Sequence, residues 1–282
     1  MDVGEKKRLS ETANQVRILV LNMLTKACSG HTGGSLSVVD ILTYLYFYKM
    51  RHKPEDPDWP ERDRLVLSKG HAAPTLYALL SMCGYFPRSE LFKLRRVNGS
   101  LQGHPDARRT PGVEASTGSL GQGLSMANGI ALGLRLSGIT SKVYVILGDG
   151  EIQEGQIWEA AMSASHYRLG NVVVIIDANQ LQIDGRVENI MGVEPIAAKW
   201  EAFGWNVQEV NGHDFSQLDA AVSKMEQSSD GKPNVVVART IKGKGVSFME
   251  GKCQYHGVAP KMDELRRAMD ELGGEVLIEE DS

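Results

Sequence analysis

Cysteine is scarce in this 282-residue chain: Cys28, Cys83 and Cys253 are the only three, and they lie far apart. No metal or redox spacing links them, which excludes a zinc ribbon or a disulfide scaffold and leaves reduced thiols of a reducing compartment. Long apolar runs are missing too, since no stretch approaches the roughly 18 residues that a membrane helix needs. The start, Met-Asp-Val-Gly-Glu-Lys-Lys, lacks the apolar segment of a secretory signal. The expected location is therefore cytoplasmic, with no membrane partner. An excess of one charge is also absent. With 31 Lys and Arg against 35 Asp and Glu, the net charge of −4 gives no reason to expect nucleic acid or an anionic surface as a partner. No internal repeat and no Pro/Ser-rich linker divides the chain.

What remains is the composition of an ordinary globular domain, 42% hydrophobic and 23% charged, long enough to bury a sizeable core. Strand patterns alternate with helical ones. Leu65–Leu67, Val143–Leu147, Val172–Ile176, Trp205–Val210 and Val235–Ala238 read as strands, several of them apolar throughout, as in a parallel sheet covered on both faces. Leu9, Ala13, Val16, Val20, Leu24 and Ala27 recur at helical spacing up to a stop at Gly30. A second helix is expected from Ser37, with Asp40 three residues on as a capping-box partner. Pro54–Pro60 reads as a surface loop. Further helices are expected between Glu154 and Arg168, over Phe215–Met225 and over Met262–Leu272. The Gly- and Ala-rich stretch Leu124–Leu136 suits close helix packing. The pattern predicts an α/β fold, a doubly wound parallel sheet flanked by helices.

Chemistry concentrates where two of these strands end. Val143–Leu147 runs into Gly148-Asp149-Gly150, and Val172–Ile176 runs into Asp177-Ala178-Asn179. A strand-helix-strand crossover brings both strand ends to one edge of a parallel sheet. One acidic oxygen, one amide oxygen and a backbone carbonyl just past Asn179 then suit a hard cation such as Mg²⁺, which also borrows ligands from phosphates. Asp177 is the poorer candidate ligand of the two residues flanking Ala178. Gly148 and Gly150 leave room for a diphosphate near the N-terminus of the following helix. A tight turn and a strand end are the competing readings of the two halves taken singly. Their pairing across thirty residues in strand context favours the cation site.

This pairing resembles the thiamin diphosphate signature, and the surrounding text resembles the transketolase family. The resemblance rests on Ser29-Gly-His31-Thr-Gly-Gly34, Asp63-Arg-Leu-Val-Leu-Ser-Lys-Gly-His71, Gly103-His-Pro-Asp106 and Ser116-Thr-Gly-Ser-Leu-Gly-Gln-Gly123. Gly148-Asp-Gly-Glu-Ile-Gln-Glu-Gly155 and Tyr255-His-Gly257 complete it. The segments occur in family order and cover the chain from about residue 10 to 270.

The resemblance implies a set of site residues. Asp149, Asn179 and the Leu181 carbonyl would hold Mg²⁺, with Ca²⁺ or Mn²⁺ as substitutes. His71, Gly118, Ser119, Leu120, Gly150, Glu151, Asn179 and Lys242 would contact thiamin diphosphate. His31, His71, His104 and His256 would line the channel to the substrate, where imidazoles can carry protons at working pH. His31 and His256 would face the substrate, and His71 and His104 would lie nearer the diphosphate. Glu154 would sit at the aminopyrimidine side, in a proton relay between two protein halves. A first-turn glutamate favoured by the helix dipole is its plainer reading, and a solvated lysine is that of Lys242. His52, His166 and His213 fall outside the motifs and are expected to be structural or surface residues.

Family members continue with a pyrimidine-binding domain and a third domain, which carry the activating glutamate and the phosphate-holding arginines. The expectation is therefore the N-terminal subunit of a split transketolase, working with a C-terminal subunit that bears the pyrimidine domain, in an α₂β₂ assembly acting on sugar phosphates. Residues 1–250 would form the diphosphate domain. Residues 251–282 would extend it and end in a disordered acidic tail, Glu279-Glu-Asp-Ser282. Other readings stay open. They are a branch acting on an unusual ketose, a deoxyxylulose phosphate synthase-like enzyme, the α chain of a 2-oxo acid dehydrogenase, a Mg²⁺-dependent phosphohydrolase built on Asp149, or a non-catalytic regulatory protein.

Overall fold

Five strands carry the molecule: β1 (Arg64–Leu67), β2 (Val143–Gly148), β3 (Val172–Ala178), β4 (Asn206–Asn211) and β5 (Asn234–Arg239). In this computed structural model, which describes residues 1–227 and 230–278, they form one sheet in the order β1-β2-β3-β5-β4. Every pair is parallel. The acidic tail expected at 279–282 lies outside the described residues.

β2, β3 and β5 are apolar on both faces because both are covered, whereas β4, at the edge, is polar and partly exposed. Val172, Val174 and Ile176 of β3 enter one core, while Val173 and Ile175 enter the other. β2 and β5 alternate in the same way, with Tyr144 and Val236 on one side and Val145 and Val237 on the other. Burying each such side chain contributes about 1.5–3 kcal/mol, so β3, buried along its whole length, anchors the sheet.

The helices in chain order are α1 (Val3–Ala27), α2 (Thr32–Ser37), α3 (Val39–Tyr44), α4 (Ala73–Cys83), α5 (Gln122–Leu136), α6 (Gly155–His166), α7 (Val187–Met191), α8 (Ile196–Ala202), α9 (Phe215–Glu226) and α10 (Met262–Leu272). α1, α3, α4, α9 and α10 cover the face of Tyr144, and α5, α6 and α8 cover the other. Asp2 caps α1 by accepting a hydrogen bond from the Glu5 amide, and Cys28 closes it in the left-handed region at φ +50°. Trp200 of α8 is fully buried, with its ring centroid 4.7 Å from Trp205 and 5.5 Å from Trp158. α10 packs on α1, where the Asn14 amide donates to the Leu272 carbonyl at 2.8 Å. Among the described residues no helix is long and apolar enough to cross a membrane.

One helix start differs from expectation. Ser37 does not cap a helix but ends α2, and the chain bends at Val38 before α3 begins at Val39. The Ser37 hydroxyl instead donates to Asp177 Oδ2 at 2.5 Å. Asp40 is taken by Arg17 and His213. Charged tertiary partners outcompete the local capping box for both side chains.

Candidate functional site

The parallel register places Gly148 of β2 beside Asp177 of β3, so the turns that follow both strands open at one edge. Asp149 is 3% exposed. Its Oδ1 accepts from the Gly150 amide at 2.9 Å, and its Oδ2 accepts from the Gln180 amide at 2.5 Å. Burial, joined by the negative charge of Asp177, pushes its carboxyl up to about 6, against the pull of these two amides. Asn179 Oδ1 accepts from the Leu181 amide at 3.1 Å, while its Nδ2 donates to Ser37 Oγ and Asp177 Oδ2. The Leu181 carbonyl accepts from the Lys242 ammonium at 3.1 Å.

Asp177 is held differently. Lys69 and Ser37 donate to its Oδ2 and Thr240 to its Oδ1. Burial alone would raise this carboxyl, yet Lys69 and the hydroxyls hold it below the usual carboxylate range. Its lone pairs are consumed by the protein.

A cavity of about 280 Å³ lies against these turns. Asp149, Gly150, Glu151, Glu154, Asn179, Leu181, Leu120, Lys242, His71 and His256 all line it. His31, His104, Gly118 and Ser119 are not among its walls. His31 stands one imidazole behind it, and His104 lies behind His31. The His31 ring centroid is 5.2 Å from that of His71, 5.6 Å from His256 and 6.0 Å from His104. Gly118, at φ +146°, backs His104, because a Cβ there would meet the imidazole at 3.1 Å. Gly70 permits a second close approach: a Cβ on it would lie 2.8 Å from the Gly118 amide nitrogen. Ser119 is exposed.

All four imidazoles are held neutral at pH 7. Burial lowers His31 to about 4, aided by the nearby Arg95 charge. Burial and the Lys242 charge lower His256 to about 4. His71 falls well below its ordinary value and His104 falls too, burial leading in both. Lys242, 2% exposed, is pushed down to about 8 by burial and by Lys69. Its Nζ lies 2.7 Å from His256 Nδ1. An ammonium can only donate, so Nδ1 is the acceptor and the proton of His256 sits on Nε2.

Two acidic residues sit differently from each other. Glu151 is buried, with Ser68 Oγ at 2.5 Å and the amides of Gly121 and Gly148 at 3.0 Å donating to it. Glu154 is exposed at the cavity rim and precedes α6 without a side-chain capping bond. It packs on Gly121, where a Cβ would come within 2.9 Å of its own Cβ. The helix expected between Glu154 and Arg168 is present, one short turn removed from Gly150. A 3₁₀ turn, Glu151–Gln153, intervenes, and α6 starts at Gly155. The amide of Gly148 accordingly serves Glu151 rather than standing open to an anion.

Several residues here escape sequence reasoning. Lys69 is 1% exposed and tied to Asp177 and to the Gly34 carbonyl. It lies inside Ser68-Lys-Gly-His71, but nothing in that text marks the lysine as buried. Arg95 holds a left-handed backbone at φ +59° beside the histidines. Gly103 is its only visible signal, since a Cβ there would meet the guanidinium carbon at 2.7 Å.

Among the described residues no three His, Cys, Asp or Glu side chains converge as a metal site. The oxygens at this edge are of another kind, one carboxylate, one amide and one backbone carbonyl, all on walls of the same cavity. That hard-oxygen set fits Mg²⁺ better than a thiophilic ion.

The family described as "Transketolase, thiamine diphosphate binding domain" matches residues 9–277. A 6-deoxy-6-sulfo-D-fructose transketolase subunit of Clostridium sp. (strain MSTE9) is 46% identical over 264 residues, covering 94% of this chain and 96% of that protein. An apulose-4-phosphate transketolase subunit of Actinobacillus succinogenes is 43% identical over 269 residues, covering 95% and 96%. The solved transketolase of Campylobacter jejuni superposes with a TM-score of 0.91 at 34% identity, over 99% of this chain. The chain spans only 44% of that longer protein.

Proposed function

The chain belongs to the transketolase family through its thiamin diphosphate-binding domain, and from that premise we propose that it is the N-terminal subunit of a two-component, Mg²⁺-dependent transketolase. Such an enzyme transfers a two-carbon ketol unit from a ketose phosphate to an aldose phosphate. The observation that carries the reading is the joining of cation-type oxygens and neutral imidazoles around one cavity. A phosphohydrolase built on Asp149 has no use for the imidazole cluster.

In this reading Asp149, Asn179 and the Leu181 carbonyl hold Mg²⁺. Leu120, Gly150, Glu151, His71 and Lys242 form the wall toward the cofactor, and Gly118 and Ser119 belong to the loop that carries Leu120. When bound, thiamin diphosphate supplies an electron sink for cleaving a carbon–carbon bond beside a carbonyl. The chain's own part is proton traffic and exclusion of water. Neutral His31 accepts and returns protons at substrate hydroxyls, His256 donates its Nε2–H to them, and His71 and His104 fix the hydroxyl nearest the diphosphate. Lys242 donates to His256 Nδ1, which leaves Nε2–H as a donor. Glu154, free at the rim, meets the partner's half of the relay at the aminopyrimidine side.

The partner is a C-terminal subunit with the pyrimidine domain, in a cytoplasmic α₂β₂ assembly. Two relatives of this chain's length are named as subunits. The outer face of α5 and α6 suits the contact, with Met126 and Met162 exposed beside the open glycines Gly129 and Gly133. The same relatives favour a second reading of the substrate, a sulfonated ketose such as 6-deoxy-6-sulfofructose, or apulose 4-phosphate. The test is ketol transfer from xylulose 5-phosphate, and from 6-deoxy-6-sulfofructose, by the chain alone and then with its encoded neighbour. Activity only with both chains is expected. Full activity of the chain alone would overturn the split reading, and donor preference would decide between the two substrates.

A further inference from the structure

The loop after β5, residues 240–245, delivers Thr240 to Asp177 and Lys242 to His256. It contains two glycines and two lysines and has no regular secondary structure of its own. Something else must hold its register, because a small slide would carry Nζ out of hydrogen-bond reach of His256. Backbone bonds hold part of it, Gly243 N–H to the Gly33 carbonyl at 3.0 Å and Gly251 N–H to the Lys242 carbonyl at 2.9 Å, and side chains of three distant elements grip it further.

Asp40 of α3 is buried, and one of its oxygens, Oδ2, receives two partners. Arg17 of α1 donates from its Nη2 at 2.6 Å, and His213 of the turn after β4 contacts it through Nδ1 at 2.7 Å. Each partner also grips the loop. The Ile241 amide donates to His213 Nε2 at 2.9 Å, and Arg17 Nε donates to the Lys244 carbonyl at 3.0 Å. Because Nε2 accepts, the proton of His213 sits on Nδ1 and is donated to Asp40. The two grips fall at Ile241 and Lys244, on either side of Lys242. Packing repeats the pattern: a Cβ on Gly245 would strike Arg17 Cδ at 2.6 Å, and one on Gly212 would strike Thr240 Cγ2 at 2.5 Å. Burial alone would raise the Asp40 carboxyl, but His213 and Arg17 hold it below the usual carboxylate range, as a permanent anion.

We propose that Asp40 and His213 are positioning residues: together with Arg17 they clamp loop 240–245 on both sides of Lys242 and so fix His256 as an Nε2–H donor. His213 then acts at a distance, through Ile241 and Lys242, and touches no substrate. The inference rests on the functional reading above only in taking His256 as a substrate-facing group.

The decisive measurement needs neither cofactor nor partner. The full chain, ¹⁵N-labelled at histidine, is observed at pH 7 through the ring-nitrogen resonances of His256. The wild type is expected to show Nδ1 as an unprotonated acceptor and Nε2 as protonated. K242M removes the donor directly, and the two nitrogen shifts should converge toward a mixed tautomer. H213L should reproduce that convergence. H213Q, which keeps an acceptor for Ile241 and a donor for Asp40, should restore the wild-type pattern. A folded H213L with unchanged His256 shifts would overturn the inference, as would H213Q behaving like H213L, since ring packing rather than the hydrogen bond would then hold the loop. Should H213L fail to fold, a scalar coupling across the Ile241 N–H···Nε2 bond in wild type decides, its absence overturning the proposal. In the assembled enzyme H213L should lower kcat by ~10–100-fold with KM little changed, as outer partners of functional side chains do. Absence of ketol transfer by the wild-type assembly would instead sink the activity reading and leave the resonance result standing.

Discussion

The turn after β2 and the end of β3 each present a carboxylate to the same edge of the sheet, one strand apart, in opposite surroundings. Asp177 is saturated by an ammonium, two hydroxyls and an amide, and it is ionised below the usual range. Asp149 receives only two backbone amides, and burial with the charge of Asp177 lifts it to about 6. A buried carboxylate with its own cation is part of the scaffold, because its charge is already balanced. One held by neutral dipoles alone gains when a cation arrives. The protein thus separates holding from binding across a single strand spacing.

The contrast breaks most sharply at Asp177. D177N keeps the side-chain shape but leaves Lys69 charged and buried, and it should cost about 3–5 kcal/mol in urea denaturation. A loss below about 1 kcal/mol would mean that Lys69 is not balanced by this carboxylate. D149A should do the reverse. Folding stability should hold or rise, while Mg²⁺-dependent cofactor binding in the assembled enzyme falls at least ~100-fold, about 2.7 kcal/mol, by calorimetric titration. N179A should weaken binding less, since a neutral oxygen is lost and water can replace it. Unchanged affinity in D149A would remove Asp149 from the cation site.

Acidification tests the same division with a sign. His31 and His256 titrate near 4 when folded, against 6.5 in the unfolded chain, so below 6.5 the unfolded state takes up their protons first. Stability should therefore fall as the pH drops from about 6.5 to about 4. Asp149 works oppositely. Its folded value of about 6 exceeds the ordinary 3.8, so the folded state gains a proton first and recovers some stability over that interval. D149N lacks this gain and should lose stability more steeply on acidification than wild type, measured as denaturation midpoints at pH 7, 5.5 and 4.5. A shallower loss would contradict the raised value. The smallest effect belongs to the surface. H166A, at an exposed helix end, should change stability by no more than about 0.5 kcal/mol and leave turnover intact. H256A should lower turnover ~10²–10⁴-fold without changing cofactor affinity. Equal effects from the two would point to folding rather than chemistry.

Much of the frame was legible in sequence because its signals are local. Val143–Leu147 and Val172–Ile176 are apolar without interruption, and covered parallel strands read that way. The glycine-rich turns were legible for the same reason, since Gly118 and Gly70 stand where no side chain fits. What stayed hidden depends on partners far along the chain. The Ser37 helix start followed a local rule, and Asp177, 140 residues away, overrode it. Lys69 reads as any lysine until the fold removes it from water. His213 reads as a turn residue, which it is, yet its ring meets Asp40 across 173 residues. Periodicity and spacing carry no trace of such pairs.

The alternation along β3 has a consequence for how this segment can change. Its side chains enter two separate cores in strict turn, and Asp177 and Asn179 follow from the same count. The strand works as a ruler with a two-residue division. An inserted residue would advance Asn179 by only about 3.3 Å, but it would also exchange the contents of the two cores and turn the amide to the opposite face. Apolar substitutions of similar size are tolerable over Val172–Ile176, whereas a single insertion or deletion is not, and at these five positions length rather than identity is what must be kept.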